Sequence, residues 1–305
     1  MTLCHRGTIE NPPVTDHDQA MKCVARLPLT FALGLLPLLG DADSRNMAAQ
    51  IDSEESRGER TLYRTSGGAR PPSQPVAPLP GVEFEFSRLV YAENPNYARG
   101  RGGWGGGRRW MTDAPEAETH LLQGIKRLTR VNAASEGTAI RLDDDSLFDH
   151  PFLYAVEVGG WLLSDEEAVR LREYLDRGGF LMVDDFHGSL QWEGFMESMR
   201  KVYPDRSVEE LPVSAEVFHV LYDLIERPQI PSIYGAMSGR TWEQDGFTPH
   251  WRGIHDEDGR LTVAINFNMD LGDAWEHADA PEYPQPLTAL AYRYAINYLL
   301  YSMSH

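Results

Sequence analysis

From Val82 onward the chain alternates short apolar runs with amphipathic stretches, and the two periods predict strands and helices in turn. "VEFEFSRLVY" (82–91) alternates polar and apolar positions and predicts a first strand. Asp113 and Glu116 have the spacing of a capping box, and Leu121, Leu122, Ile125 and Leu128 then share one helical face. "TAIRLDD" (138–144) predicts a short strand. "FLYAVEVGG" (152–160) is mostly apolar, as in a strand buried on both faces. Ser164 and Glu167 form a second capping box. The helix they open turns Ala168, Leu171, Tyr174 and Leu175 inward and stops at Gly178 and Gly179. "FLMVDD" (180–185) is the next buried strand. A helix over 191–202 follows, with Trp192, Phe195, Met196 and Met199 inward. Residues 208–250 read as short strands and loops. "HWRGIHDEDGRLTVAINFN" (250–268) predicts a hairpin turning at Asp256–Gly259, and a last helix runs from about Leu287 to Tyr301.

Strand, helix and strand with tight connections make a βαβ unit, whose crossover is right-handed. The predicted class is α/β, a largely parallel sheet between helices, with a C-terminal hairpin and helix.

The first 81 residues have a different texture. "MKCVARLPLTFALGLLPLLGDADS", beginning at Met21, offers Lys22 and Arg26, an apolar run from Leu27 to Leu39, and small or polar residues around Ala42 and Ser44. That is the layout of a secretory signal. Residues 1–45 are therefore expected to be an N-terminal extension and signal peptide with its start at Met21, and the mature chain an exported, periplasmic protein without a transmembrane anchor. Residues 46–81, with "GGARPPSQPVAPLP", read as a disordered Pro/Gly-rich linker, and 82–305 as the folded domain.

The net charge of -18 repels nucleic acid and anionic lipid at long range, so neither is an expected partner. The two cysteines, Cys4 and Cys23, both precede the domain. Residues 82–305 thus hold no disulfide, no cysteine-ligated zinc and no cysteine nucleophile.

Three stretches carry candidate chemistry. "YARGRGGWGGGRRWMTD" (97–113) contains a formal G-x-G-x-x-G at Gly100, Gly102 and Gly105. Its glycines neither follow a strand directly nor open a helix, as a dinucleotide site requires. The stretch reads as a mobile loop carrying Arg101, Trp104, Arg108, Arg109 and Trp110 over a ligand at the same rim as the second stretch, or as a plain surface loop. In that second stretch, "VDDFHGS" (183–189), Asp184, Asp185 and His187 leave the carboxyl end of a buried strand, where ligands of open α/β sheets sit. They could hold a divalent metal or act as acid and base, or merely cap the next helix. Gly160 and Trp161 end the neighbouring strand, and Arg88 lies on the first. In the third stretch, "NFNMDLGDAWEH" (266–277), Asn266, Asn268 and Asp270 alternate and would face one way on a strand. Asp273, Trp275 and Glu276 resemble a sugar- or peptide-binding lining.

"FEFSRLVY", "RRWMTDAPEAETHLLQGIKRLT", "DHPFLYAVEVGGWLLSDEEAVRLREYLDRGGFLMVDDFHG", "NFNMDLGDAWE" and "YRYAINYLLYSMSH" occur in order over about 82–305. Together they resemble the bacterial domain-of-unknown-function family numbered 4159, which is similar in fold to class I glutamine amidotransferase-like domains, including trehalose-utilisation-like proteins. The resemblance implies a three-layer, flavodoxin-like sheet and no established activity. Amidotransferases use a cysteine nucleophile, and a domain without cysteine cannot follow that route. Two expectations remain. One is a non-catalytic domain binding a small polar ligand or an envelope protein partner. The other is a hydrolase acting on a carbohydrate or peptide, with Asp184, Asp185 and His187 central. The sequence names no cofactor.

Overall fold

The computed structural model describes residues 64–65, 79–95 and 109–305. The signal-like segment, most of the 46–81 stretch, and Arg101, Trp104 and Arg108 of the glycine loop lie outside the described residues.

Among the described residues, eight strands form one sheet and two short ones pair separately. The main sheet is made of β1 (Arg64–Thr65), β2 (Ser87–Val90), β4 (Thr138–Arg141), β5 (Phe152–Val156), β7 (Phe180–Asp184), β8 (Glu209–Glu210), β9 (His250–His255) and β10 (Leu261–Phe267). Their spatial order is β1-β4-β2-β5-β7-β10-β9-β8. Every pairing from β1 through β10 is parallel, and β9 alone runs against its neighbours β10 and β8. β3 (Ala92–Glu93) pairs with β6 (Trp161–Leu162) beyond the sheet.

Alternation along each strand separates two cores. Phe152, Tyr154 and Val156 of β5 face the helices α1 (Glu116–Leu128) and α6 (Gln285–Ser304). Leu153 and Ala155 face α2 (Asp165–Asp176) and α3 (Gly188–Val202). The result is helix, sheet, helix, because strands buried on both faces need both covered. The expected capping box of α2 forms: Ser164 Oγ accepts from the Glu167 amide at 3.1 Å, and Glu167 accepts from the Ser164 amide at 2.8 Å. Leu171 is fully buried beneath it. The hairpin at 256–259 forms as expected, closed by the Asp256 amide donating to the Arg260 carbonyl at 2.9 Å.

Three expectations fail locally. The first strand is regular only over 87–90; Phe84 makes one isolated bridge to Ala133. The Asp113–Glu116 capping box does not form. Asp113 has φ 62°, α1 begins at Glu116 behind Pro115, and no side chain caps it. Nor do Asn266, Asn268 and Asp270 share a strand face. β10 ends at Phe267, Asn268 turns left-handed with φ 63°, and Asp270 caps the short helix α5 (Leu271–Glu276). Asn266 lies fully buried in the sheet, donating to the Val183 carbonyl at 3.2 Å and accepting from Tyr298 Oη at 2.9 Å. Within 208–250, read as short strands and loops, β8 is such a strand, but Ile233–Ser238 form a helix, α4. Among the described residues, no helix is long and apolar enough to cross a membrane.

Candidate functional site

Parallel strands bring their carboxyl ends to one edge of the sheet, and the chain turns sharply as it leaves each of them there. Glu157 follows β5 with φ 55°, Asp185 follows β7 with φ 49°, and Asn268 follows β10. With Asp113 and Gln244 they are all of the non-glycine residues with positive φ among those described. Each such conformation costs about 1–3 kcal/mol, and such strain concentrates at functional sites.

Asp184, the last residue of β7, is fully buried. Its Oδ2 accepts from the Leu271 and Gly272 amides at 2.8 and 3.0 Å, the first turn of α5, and from Tyr154 Oη at 3.2 Å. Burial pushes its carboxyl up to about 7 against the pull of those donors. Asp185 is held by its amide, which donates to the Met269 carbonyl at 3.1 Å. His187 Nε2 lies 3.1 Å from Asp185 Oδ1. Burial lowers the imidazole to about 4, so it is neutral, and its Nδ1 has no hydrogen-bond partner.

The third strand end adds Asp270, whose Oδ1 accepts from the Asp273 amide at 2.8 Å. Asp113 arrives from the turn before α1. Carboxylate oxygens of Asp113, Asp185 and Asp270 all lie within 4.8 Å of one another. Burial raises the carboxyl of each well above the usual range, and the neighbouring acids raise it further: Asp273 and Glu276 at Asp113, Glu157 and Asp113 at Asp185, Asp185 and Asp113 at Asp270. No described Lys or Arg is ion-paired with any of the three. Arg88 is wholly buried against Glu118, and Arg109 is 3.1 Å from Glu157 and 3.8 Å from Glu93.

A second group, Asp273, Glu276 and His277, lies on α5 and just after it. It is closed on itself: His277 Nε2 is 3.0 Å from Asp273 and 3.5 Å from Glu276. The Asp273 Oδ2 also accepts from the Ile233 amide at the start of α4. Burial lifts the Glu276 carboxyl to about 7.

Asp184, Asp185 and His187, which the sequence puts together, lie at this edge, and Asp270 from the third stretch joins them. Several expected lining residues do not face solvent. Trp275 is fully buried against Tyr154, with ring centres 5.6 Å apart. Trp161 stacks on Phe195 at 5.5 Å and donates to its carbonyl. Gly160 is buried and accepts from the Asn94 amide at 2.8 Å. Arg88 is a strut: its Nη1 donates to the carbonyls of Trp110 and Thr112 and so fixes the turn bearing Asp113. Large aromatic and guanidinium groups carry enough apolar surface to be drawn under the strand ends rather than left at the rim. Asn268 is spent internally, accepting from the Gly188 amide at 2.9 Å and donating to the Thr248 carbonyl at 2.7 Å. The half-buried Trp110 packs on the α2/α3 core, while Arg109 stays at the edge. The glycine loop's own residues are outside the described set, but both its flanks lie at this edge: Asn94 bonds Gly160, and Arg109 bonds Glu93 and Glu157.

Sequence reasoning missed Asp113, Tyr154, Glu157 and Glu243 as members of the site. Glu157 carried a signal, since it directly follows a buried strand. Asp113 was hidden by its capping-box spacing. Glu243, whose charge acts on Asp185, His187 and Glu157, comes from a loop distant in the chain and had no local signal.

No curated protein matches the chain. The sequence profile of one family, described as a domain of unknown function (DUF4159), matches residues 89–303, which include every residue of the acidic edge. The chain belongs to that family.

Proposed function

We propose that this is an exported, non-catalytic binding domain of the cell envelope, and that the carboxyl edge of its sheet takes a positively charged or cation-bridged polar ligand. One observation carries the reading. Asp113, Asp185 and Asp270 crowd within 4.8 Å without a described cation paired to them, surrounded by Asp184, Glu157, Asp273 and Glu276. Burying like charges side by side is costly, and a ligand of opposite charge offsets that cost. Arg88 and Arg109 are already engaged by glutamates, so neither is free to bridge an anion. The strand order β4-β2-β5-β7-β10 reads 2-1-3-4-5 in chain order, which supports the flavodoxin-like, amidotransferase-like reading of the fold.

The test is thermal denaturation of the full chain with organic cations (spermidine, dilysine), divalent cations and matched anions. A ligand at a hundred times its Kd stabilises by about 2.7 kcal/mol, which raises Tm by roughly 5–10 °C for a domain of this size. Stabilisation by anions alone, or by nothing, defeats the reading.

A second reading is a hydrolase for a carbohydrate or peptide, with His187 as base and Asp185 orienting it. The 3.1 Å contact between them and the unpartnered Nδ1 favour it. Turnover on a glycoside and peptide panel that is lost in His187→Ala but kept in Asp258→Asn, in the exposed hairpin turn, would select it over simple binding.

A further inference from the structure

We propose that Asp113, Asp185 and Asp270 together hold one divalent cation of the hard, oxygen-seeking class. The inference rests on the reading of the carboxyl edge as a cation-binding site and names its occupant.

The donor set is all oxygen. No cysteine exists in the domain, and the one histidine that touches the triad, His187, faces Asp185 rather than adding to the set. Carboxylates without sulfur select Ca²⁺, Mg²⁺ or Mn²⁺ over zinc or copper. The three residues come from three separate elements: the turn before α1, the end of β7 and the cap of α5. Oxygens of all three lie within 4.8 Å of one another, close enough for one ion to reach all of them.

Crowded carboxylates alone would not identify a site. An independent observation points the same way. Asp184, wholly buried beside the triad, leaves its Oδ1 without any hydrogen-bond partner. The Asp113 Oδ2 is likewise solvent-free and unpartnered. These two carboxyl groups adjoin the same hydroxyl. Asp113 Oδ2 and Tyr154 Oη lie 2.4 and 2.7 Å from where a Cβ on Gly272 would stand, and that Tyr154 hydroxyl donates to Asp184 at 3.2 Å. Buried polar groups are normally satisfied, so orphaned carboxyl oxygens in and beside a three-carboxylate nest imply a positive partner. A purely structural origin would give each oxygen a donor, as Asp184 Oδ2 has three and Asp273 has the Ile233 amide. The glycine at 272 leaves the room that Asp113 uses.

Metal binding to the full-length protein, stripped with chelator and titrated with Ca²⁺, Mg²⁺ and Tb³⁺, tests this directly. Calorimetry should give one Ca²⁺ per chain. Tb³⁺ emission excited through Tyr154 and Trp275 should appear and be displaced by Ca²⁺; it needs no substitution, so it holds even if a variant misfolds. Asp270→Asn and Asp113→Asn should each weaken Ca²⁺ at least tenfold, while Asp258→Asn, exposed in the β9–β10 hairpin turn away from this edge, should leave it within twofold. Failure of the wild type to bind any divalent ion, or Ca²⁺ affinity that survives Asp270→Asn, overturns the inference. If spermidine or dilysine binds while no divalent ion does, the metal assignment falls and the broader reading of a cation-binding edge stands. If no cation of either kind binds, both fall.

Discussion

Arg88 on β2 donates from Nη1 to the Thr112 carbonyl at 2.8 Å, tying the floor of the sheet to the turn that presents Asp113. The same guanidinium meets Glu118 through Nε and lies over the Tyr154 ring at 5.0 Å. A group read from the sequence as ligand-lining thus acts one step behind the site.

Replacing Arg88 with Met should destabilise the domain by about 3–5 kcal/mol, because it strands the buried Glu118 charge. The companion double variant Arg88→Met/Glu118→Met should recover part of that loss. Urea denaturation of the two proteins checks it. A loss below about 1 kcal/mol for the single variant, the size typical of an exposed pair, would show that this ion pair is not buried in solution.

Gly272→Ala should compromise the edge without removing any charged group. Its Cβ would stand 2.4 Å from Asp113 Oδ2 and 2.7 Å from Tyr154 Oη, so the Asp113 side chain must move. Helix geometry itself tolerates alanine. Cation affinity should drop by at least fivefold with far-ultraviolet circular dichroism unchanged. Wild-type affinity would mean Asp113 contributes little.

The raised Glu276 carboxyl makes a signed prediction about pH. Its folded value is about 7, above the unfolded value of about 4.3. The folded state therefore holds a proton that the unfolded state has released, and stability falls as pH rises between those two values. Glu276→Gln, which stays neutral, should raise Tm more at pH 8 than at pH 4. Equal shifts at the two pH values would contradict the raised value.

Leu171→Ala should cost about 2–5 kcal/mol, the loss for a buried leucine that leaves a cavity. Leu171 is fully buried on the inward face of α2. Chemical denaturation measures it, and a surface-like effect under about 0.5 kcal/mol would displace that face.

What the sequence determined by itself was most of the regular secondary structure. The 3.6-residue and two-residue periods located α2, α3, β5, β7 and the β9–β10 hairpin, because burial of one face or of both is written directly into side-chain order. Asp184, Asp185 and His187 were legible for the same reason, following a buried strand in a parallel sheet. Only the tertiary structure decided which distant residues join them. Asp113, Glu157, Asp270 and Glu243 reach the edge through left-handed turns, a helix cap and a long loop, none of which has a period. It also decided that Trp161, Trp275 and Arg88 lie beneath the site rather than around it. Whether a large side chain faces solvent or core depends on what packs over it, and that is set by elements far along the chain.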